Sequence, residues 1–217
     1  RWINIEGPLK PRMYDLVKIA TGEAPLRLLY NSDVTISSRW IHPKQIESLR
    51  AERNADGDLL YFCHKGSGKL LSEYGVLEFR AGSYLVVHKC ITHAFVVEES
   101  CHFLVVENRT SHYREPDRGM VGRHAVYDIN AIGKPNLDLQ VEFTRNAKLD
   151  IRELAIKHSD DLTKITYDSH LFDTVGWKGD LFPFSLHVHD MMPLMSHRAH
   201  LPPSAHTTFV ARGFVVC

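Results

Sequence analysis

Six short apolar stretches follow one another between Asp58 and Glu107, and they constrain the fold more than any other feature of the sequence. Each is rich in Val, Leu, Phe or Tyr, and glycines separate several of them; they read DLLYFCHKG, KLLSEYG, VLEFRAG, SYLVVHK, HAFVVEE and CHFLVVE. Connections this short join antiparallel strands, because parallel strands need crossovers of a dozen or more residues. The pattern predicts a mainly β protein built on an antiparallel barrel or sandwich.

Further strands are predicted on both sides of this series. Leu26–Tyr30 and Val34–Trp40 read as two strands joined by a turn at Asn31–Asp33, and HPKQIESLRAE after them is compatible with a short helix. Three later stretches partly alternate between apolar and polar residues, as half-buried strands do: LQVEFTRN, LDIRELAIKH and LTKITYD. The run FDTVGWKGDLFPFSLHVHD indicates a loop packed on the barrel before another strand, and TTFVARGFVVC indicates a hairpin of a further sheet.

A less regular stretch, Arg109–Leu137, separates the strand-rich parts of the chain. We therefore predict a first barrel in residues 1–130, followed in residues 131–217 by linker strands and the beginning of a second barrel. The chain begins at Arg1 and ends at Cys217 inside the apolar run GFVVC, where a strand would be expected to continue. We expect it to be a piece of a longer protein.

Composition argues against some classes of partner and indicates where the protein is located. The 26 basic and 26 acidic residues balance and form no basic block, which argues against a nucleic-acid partner. No apolar run approaches the roughly 20 residues of a membrane span, and the first residues lack the apolar core of a signal peptide. The four cysteines form no C-x-x-C pair, and Cys63 and Cys101 lie beside apolar runs as buried thiols do. We therefore expect a soluble, cytoplasmic protein without a membrane partner.

Histidines are concentrated near the end of the chain, where five of the fourteen fall within 20 residues: His187, His189, His197, His200 and His206. Imidazole serves as a general acid or base near neutral pH and as a ligand of catalytic metals. Pro202–Pro203 excludes a regular helix or central strand, so His200 and His206 flank a rigid loop. Because loops fixed by a β-scaffold often carry reactive side chains, these two are the catalytic candidates. His187 and His197 are expected to be surface or hydrogen-bonded structural histidines.

Residues 82–93 resemble one motif of the cupins, which are jelly-roll barrels. Metal-binding cupins carry an HxH…E motif on one hairpin and a G-x5-P-x-G-x2-H motif on the next. In GSYLVVHKCITH the opening glycine and the closing histidine are kept, whereas His88 stands at the proline position and Cys90 at the second glycine position. The resemblance implies a cupin-type jelly-roll barrel with a degenerate metal motif.

The first cupin motif is absent from the chain. Glu-Arg-Asn at 52–54 occupies the place of the histidine pair, and Asp58 stands roughly where the glutamate would be. A divalent metal wants about three protein ligands of the right type, and this barrel aligns only one histidine with the motif. We therefore predict a metal-free structural barrel, in which neither His88 nor His93 binds a metal and His93 is a hydrogen-bonded core or rim histidine.

Four longer phrases resemble, in the same order, the homogentisate 1,2-dioxygenase family: RNADGDLLYFCHKGSGKLLSEYGVLEFRAGSYLVV, RGMVGRHAVYD, VGWKGDLFPF and MSHRAHLPPSAHTTFVARGFVVC. Enzymes of that family are bicupins in which a degenerate N-terminal barrel supports a C-terminal barrel that holds Fe(II). The resemblance implies Fe(II) in the full-length protein, bound by two histidines and a glutamate after Cys217, so no metal ligand is assigned among the residues present. It also implies a homo-oligomer, a trimer or hexamer, which fits the aromatic segment GWKGDLFPF as a source of apolar surface.

The family's acid/base histidine closes a P-P-x-x-H phrase, which Pro202–His206 matches. The resemblance therefore implies His206 as the acid/base, and His200 is the second candidate. Leu201 and Thr207–Thr208 stand where the family usually has an arginine and Arg-Asn, which leaves the substrate open among dihydroxyaromatic acids. The reaction implied is cleavage of homogentisate with O2 to maleylacetoacetate, in tyrosine and phenylalanine breakdown.

Two other classes of function stay open at this point. A non-oxidative cupin, either an isomerase or a binding module, would show the same degenerate barrel. A structural or interaction module without metal would show it too. Iron-dependent oxygen uptake by the full-length chain would separate a dioxygenase from both, as would an H…E…H set in the sequence after Cys217.

Overall fold

The computed structural model describes residues 4–8, 10–19, 22, 24–44, 48–115, 126–127, 129–176, 179, 181–192 and 207–217. The strands in chain order are β1 (Leu26–Tyr30), β2 (Val34–Ile41), β3 (Ala51–Asn54), β4 (Asp58–Lys65), β5 (Ser67–Ser72), β6 (Gly75–Arg80), β7 (Ser83–Val87), β8 (His93–Val97), β9 (Cys101–Asn108), β10 (Val126–Tyr127), β11 (Glu153–His158), β12 (Asp161–Thr166), β13 (Phe184–His187), β14 (Met191–Met192), β15 (Phe209–Ala211) and β16 (Phe214–Val216). The helices are α1 (Leu16–Ile19) and α2 (Leu137–Ala147), with short 3-10 turns at Ile129–Ala131 and Val188–Asp190. Neither helix is long and apolar enough to cross a membrane, within the described ranges.

Two six-stranded sheets form the body of the protein. One has the order β1-β2-β9-β4-β7-β13 and the other β12-β11-β3-β8-β5-β6. The pairings are antiparallel except that of β3 with β11, which is parallel. All six strands predicted between Asp58 and Glu107 are present, and the prediction of a mainly β, cupin-type barrel is confirmed.

The core between the two sheets is built on interlocking aromatic rings. Tyr61, Phe79, Phe95 and Phe103 contact one another mostly edge to face, with ring centroids 5.1 to 5.8 Å apart. Each aromatic side chain buried in this way contributes roughly 1.5–3 kcal/mol through removal from water. The outer face of β4 is also covered, because Leu60 packs in a second cluster that contains Phe209.

The predicted buried thiols are confirmed. Cys63 and Cys101 are both reduced and fully buried beside the core. Burial raises the pKa of the Cys63 thiol to about 12 and that of Cys101 to about 11. Both side chains therefore stay protonated at neutral pH and act as small apolar groups.

The first predicted hairpin is also confirmed. β1 and β2 pair antiparallel, and the Asn31 side chain accepts hydrogen bonds from the backbone N–H groups of Asp33 and Val34, both at 2.8 Å. This Asx turn closes the loop locally. The helix-compatible stretch at 42–52 overlaps β3 at its last two residues, and its residues 45–47 lie outside the described residues.

The stretch LQVEFTRN was predicted to be a strand, and that prediction is wrong, because it lies in helix α2. Asn136 caps the helix by accepting a hydrogen bond from the backbone N–H of Leu139 at 3.0 Å, and Lys148 ends it in the left-handed conformation. Leu139 and Phe143, four residues apart, pack on one face against a buried cluster, whereas Val141 between them is 51% exposed. The helical spacing of the buried residues therefore determines the structure here, although apolar and polar residues also partly alternate in the sequence.

Ion pairs connect the β11–β12 hairpin to the rest of the barrel. Lys157 Nζ lies 2.8 Å from Asp56, 2.7 Å from Glu107 and 3.1 Å from Asp160, and Arg109 lies 2.6 Å from Asp160. Burial alone would raise the pKa of Asp56, but hydrogen bonds from Lys157 and from backbone N–H groups of the hairpin turn lower it to about 2. The carboxylate is thus held in its charged form.

Strands on both sides of residue 130 share the same sheets. β11 extends one sheet through β3, and β13 extends the other through β7. The division into residues 1–130 and 131–217 stays a prediction, and these pairings place three later strands in the first barrel. The predicted hairpin of TTFVARGFVVC is present as β15–β16, and it forms a separate two-stranded sheet.

Candidate functional site

The two catalytic candidates from the sequence, His200 and His206, lie outside the described residues, as does His197. His187 ends β13, and its Nε2 lies 3.0 Å from the carbonyl oxygen of Ala81 while its Nδ1 accepts from the backbone N–H of His189 at 3.1 Å. Both ring nitrogens of His187 are therefore engaged, as expected of a hydrogen-bonded histidine.

The chain directly after His206 is held firmly against the barrel. Thr207 and Thr208 are fully buried, and Phe209 packs edge-on against Tyr84 with ring centroids 5.7 Å apart. Val210 exchanges two backbone hydrogen bonds with Arg114, of 2.9 and 3.0 Å. The segment that follows residue 206 is thus packed on the first barrel.

Four side chains inside the barrel form what we call the interior cluster: Arg39, Glu52, Tyr61 and His93. Arg39 of β2 binds the Glu52 carboxylate with both terminal nitrogens, one of them at 2.7 Å. Burial would raise the pKa of Glu52, but the Arg39 charge and hydrogen bonds lower it to about 2. The carboxylate is therefore ionised and already paired with a cation.

His93 is fully buried in the same cluster. Its Nδ1 lies 3.2 Å from the carbonyl oxygen of Ile91, and its Nε2 lies 3.0 Å from the Tyr61 hydroxyl, which fits a neutral ring that donates to the carbonyl and accepts from the phenol. Burial lowers the pKa of His93, in keeping with the neutral ring. The prediction of a hydrogen-bonded core histidine is confirmed.

The interior cluster does not fit an iron ion. The Glu52 carboxylate faces His93 across β3 and β8, but the Arg39 guanidinium already occupies its oxygens, and a divalent ion beside it would meet like charge. Both nitrogens of His93 are engaged as well. The Fe(II) that the family resemblance implies has no place among these residues.

A second group, the junction cluster, consists of Asp58, His88 and His112. Asp58 begins β4, His88 follows β7, and His112 lies on the segment after β9. His88 Nδ1 lies 2.8 Å from Asp58 Oδ2, and His112 Nδ1 lies 3.0 and 3.2 Å from the two carboxylate oxygens. Three ligand-type side chains that are distant in sequence therefore meet at one carboxylate.

Backbone groups also hold the Asp58 carboxylate. It accepts hydrogen bonds from the N–H of Lys89 at 2.7 Å and from that of Tyr113 at 3.0 Å. Burial would raise the pKa of Asp58, but the hydrogen bond and charge of His88, together with the hydrogen bonds from the Lys89 backbone N–H and from His112, lower it. The carboxylate is ionised and joins three segments of the chain.

The junction cluster corrects one step of the sequence analysis. The prediction that His88 binds no metal rested on the absence of a second aligned histidine or a Glu beside it, but Asp58 and His112, which that reasoning did not consider, do lie with His88. Asp58 was singled out in the sequence, but only as the counterpart of a cupin glutamate. His112 carries no motif, and its distance from Asp58 in the sequence gave no signal of their contact.

Two facing sheets of this strand order define a cupin-type β-barrel protein, here with an ion pair in its interior and a carboxylate–histidine cluster at its edge. Residues 37–188 match the family described as Homogentisate 1,2-dioxygenase N-terminal. Because this range covers more than half of the chain, the protein belongs to that family.

Similar proteins agree with this assignment. A protein of Saccharolobus solfataricus that is provisionally named a dioxygenase is 30% identical over 193 residues, which is 88% of this chain and 48% of that protein. The homogentisate 1,2-dioxygenase of Dictyostelium discoideum is 26% identical over 160 residues, 73% of this chain and 36% of that protein. The chain thus spans about half the length, or less, of these relatives.

Solved structures resemble the barrel over part of the chain. One is an uncharacterised protein with a double-stranded β-helix domain from Klebsiella pneumoniae, with a TM-score of 0.40, 16% identity and coverage of 49% of this chain and 92% of that one.

Proposed function

We propose that this chain is the N-terminal part of an iron-dependent, ring-cleaving dioxygenase that converts homogentisate and O2 to maleylacetoacetate in tyrosine and phenylalanine breakdown. The observation that carries the proposal is the family match over residues 37–188. The substrate class is a small aromatic dihydroxy acid, and the cofactor is Fe(II). In this proposal the first barrel supports the reaction and does not hold the iron.

The structure of the barrel supports the proposal that it has a supporting role and does not hold the iron. Its interior holds the Arg39–Glu52 ion pair in place of metal ligands. Its outer face anchors the β15–β16 hairpin through Phe209 and through the hydrogen bonds between Arg114 and Val210. A loop that must place a reactive side chain within a fraction of an ångström benefits from such a fixed end.

His206 is the acid/base in this proposal, with His200 as the second candidate. Bound Fe(II) supplies polarisation of the substrate oxygen and activation of O2. A phenol has a pKa near roughly 10, whereas a histidine titrates near roughly 6.5, so at neutral pH an imidazole can take the phenolic proton from the polarised diol and later return it.

The proposal also includes a cytoplasmic homo-oligomer, a trimer or hexamer. Apolar side chains that are exposed on two of the edge strands support self-association: Leu29 at 65% and Tyr30 at 71% on β1, and Leu162 at 70% on β12.

The test is His206→Ala in the full-length enzyme. We expect iron content to stay nearly intact while kcat falls by about 10² to 10⁴, the usual contribution of a positioned proton-transfer group. Iron stoichiometry and oxygen uptake are measured together, with His200→Ala beside it and His189→Ala as the matched control. Normal turnover in His206→Ala with a collapse in His200→Ala would move the role to His200. Absence of iron-dependent oxygen uptake in the wild-type enzyme would reject the dioxygenase assignment.

A further inference from the structure

The junction cluster has the composition of a transition-metal site. Asp58, His88 and His112 each offer one ligand atom, and these atoms all lie within 4.8 Å of one another; no other group of three such residues occurs in the part of the chain that the structure describes. Two imidazoles and one carboxylate are ligands that first-row transition metals accept, whereas Ca²⁺ and Mg²⁺ prefer oxygen alone.

The two imidazoles converge on the same place. Both present Nδ1 to the Asp58 carboxylate, and their rings are perpendicular with centroids 5.5 Å apart. Ligand atoms bound about 2.1 Å from a tetrahedral ion lie about 3.4 Å from one another. The present separations of Nδ1 from the carboxylate, 2.8 Å for His88 and 3.0 Å for His112, therefore need to widen by about half an ångström.

The carboxylate is oriented as metal ligands commonly are. The backbone N–H groups of Lys89 and Tyr113 donate to it and fill two of its roughly four acceptor positions. The imidazole Nδ1–H groups of His88 and His112 can fill the other two. When each ring carries its proton on Nε2 instead, both Nδ1 lone pairs and two carboxylate positions become available to one cation.

Access to the cluster is one-sided. Asp58 is 1% exposed and His88 is 4% exposed, whereas the His112 side chain is 45% exposed. An ion can therefore enter past His112, and water can complete its coordination from the same side.

We propose that Asp58, His88 and His112 bind one divalent transition-metal ion of the Zn(II) type, at the junction between the first barrel and the segment that pairs with β15. This proposal replaces the sequence-based expectation that His88 binds no metal. The ion fixes the segment that contains Tyr113 and Arg114, and Arg114 bonds to Val210. The role of the ion is structural, and the proposal is independent of the iron of ring cleavage.

The experiment is a titration of the metal-depleted 217-residue chain with Co(II), followed by displacement with Zn(II). We expect one Co(II) per chain, a visible d–d spectrum typical of nitrogen and oxygen ligands, and a higher melting temperature with metal than without. Because changes to groups that only support a ligand cost about 10- to 100-fold in affinity, His112→Ala, which removes a ligand, is expected to weaken binding about 100-fold or more. Binding is also expected to weaken at acid pH, because protons compete with a metal ion for its ligands.

His189→Ala is the matched control, because His189 is exposed and its ring lies 4.7 Å from that of His187, so this pair is the alternative histidine site. The control is expected to bind the ion as the wild type does. Asp58→Asn is the second variant, with its fold checked by circular dichroism. No stoichiometric binding by the wild type, equal binding by His112→Ala, or loss of binding in His189→Ala would each overturn the proposal. None of these readouts depends on ring cleavage, so a failure here is distinct from a failure of the proposed function.

Discussion

The interior cluster and the junction cluster stabilise their carboxylates in different ways. Inside the barrel, the Arg39 guanidinium and the Glu52 carboxylate neutralise each other, and His93 is neutral. At the junction, two backbone N–H groups and two imidazoles stabilise the Asp58 carboxylate. In the first arrangement the Glu52 side chain is 31% exposed and its charge is already paired, whereas in the second the unpaired side of the cluster is open through His112, which is 45% exposed. The same barrel thus contains one ion pair suited to stabilising the fold and one cluster suited to binding a ligand.

The largest effect is expected from a variant that breaks the Arg39–Glu52 ion pair of the interior cluster. Arg39→Met removes the cation and leaves the Glu52 carboxylate without its partner. The free energy of unfolding is expected to fall by no more than roughly 3 kcal/mol, the lower end for broken buried pairs, because the pair is only partly buried. Urea denaturation at neutral pH measures the change.

Two further variants sharpen that result. Arg39→Met combined with Glu52→Gln is expected to recover part of the loss, because no uncompensated charge remains. Arg152, which pairs with Asp150 at the surface, provides the matched control, and Arg152→Met is expected to leave stability unchanged. An Arg39→Met protein as stable as Arg152→Met would show that the interior pair does not hold the barrel.

A smaller effect is expected at the junction. Asp58→Asn removes a negative charge that accepts hydrogen bonds from two backbone N–H groups and two imidazoles. We expect the free energy of unfolding to fall by about 2 kcal/mol at neutral pH. The pKa of Asp58 is lowered in the folded protein, so its stabilisation is present above the unfolded value of about 3.9 and is lost as the pH falls through the folded value.

Unfolding by urea across the acid range tests this sign. The stability of the wild type is expected to fall more steeply toward low pH than that of Asp58→Asn, since the variant lacks the group that must be protonated. Parallel pH profiles in the two proteins would contradict the lowered pKa and would make the junction resemble an ordinary surface cluster.

The smallest expected effect concerns the segment that the junction holds. The Tyr113 hydroxyl donates to the carbonyl oxygen of Val106 at 2.9 Å, so Tyr113→Phe is expected to lower the free energy of unfolding by about 1 kcal/mol. Tyr84→Phe is the control, because the Tyr84 hydroxyl has no hydrogen bond within the described residues, and a change within about 0.5 kcal/mol is expected. Equal losses in both variants would assign the effect to ring packing.

Local patterns made most of the barrel predictable. The strands from Asp58 to Glu107 are short, apolar and separated by turns, and each of these signals lies within a few residues. The core position of His93 followed from a motif of fixed spacing. Helix α2 was missed because the burial of Leu139 with Phe143 depends on a surface that other parts of the chain provide, although the Asn136 cap is a local signal.

The sites were less predictable than the fold. Asp58, His88 and His112 are brought together by strand pairing, and no pattern within one segment encodes that contact. The Arg39–Glu52 pair likewise joins β2 to β3 across the barrel interior. His206 and His200 were found by a motif and by histidine density, and they remain predictions.

The pairing of β13 with β7 has a consequence for how the chain is made. β7 ends at Val87 and β13 begins at Phe184, so nearly 100 residues must be synthesised before the β7 edge is covered. At about 5–20 residues per second, the ribosome needs roughly 5–20 s for that stretch. During this interval the nascent barrel presents an unpaired strand edge, which is a template for association with other chains. The first barrel therefore cannot be completed before β13 has been synthesised, and a ribosome that pauses before residue 184 prolongs the exposure of that edge.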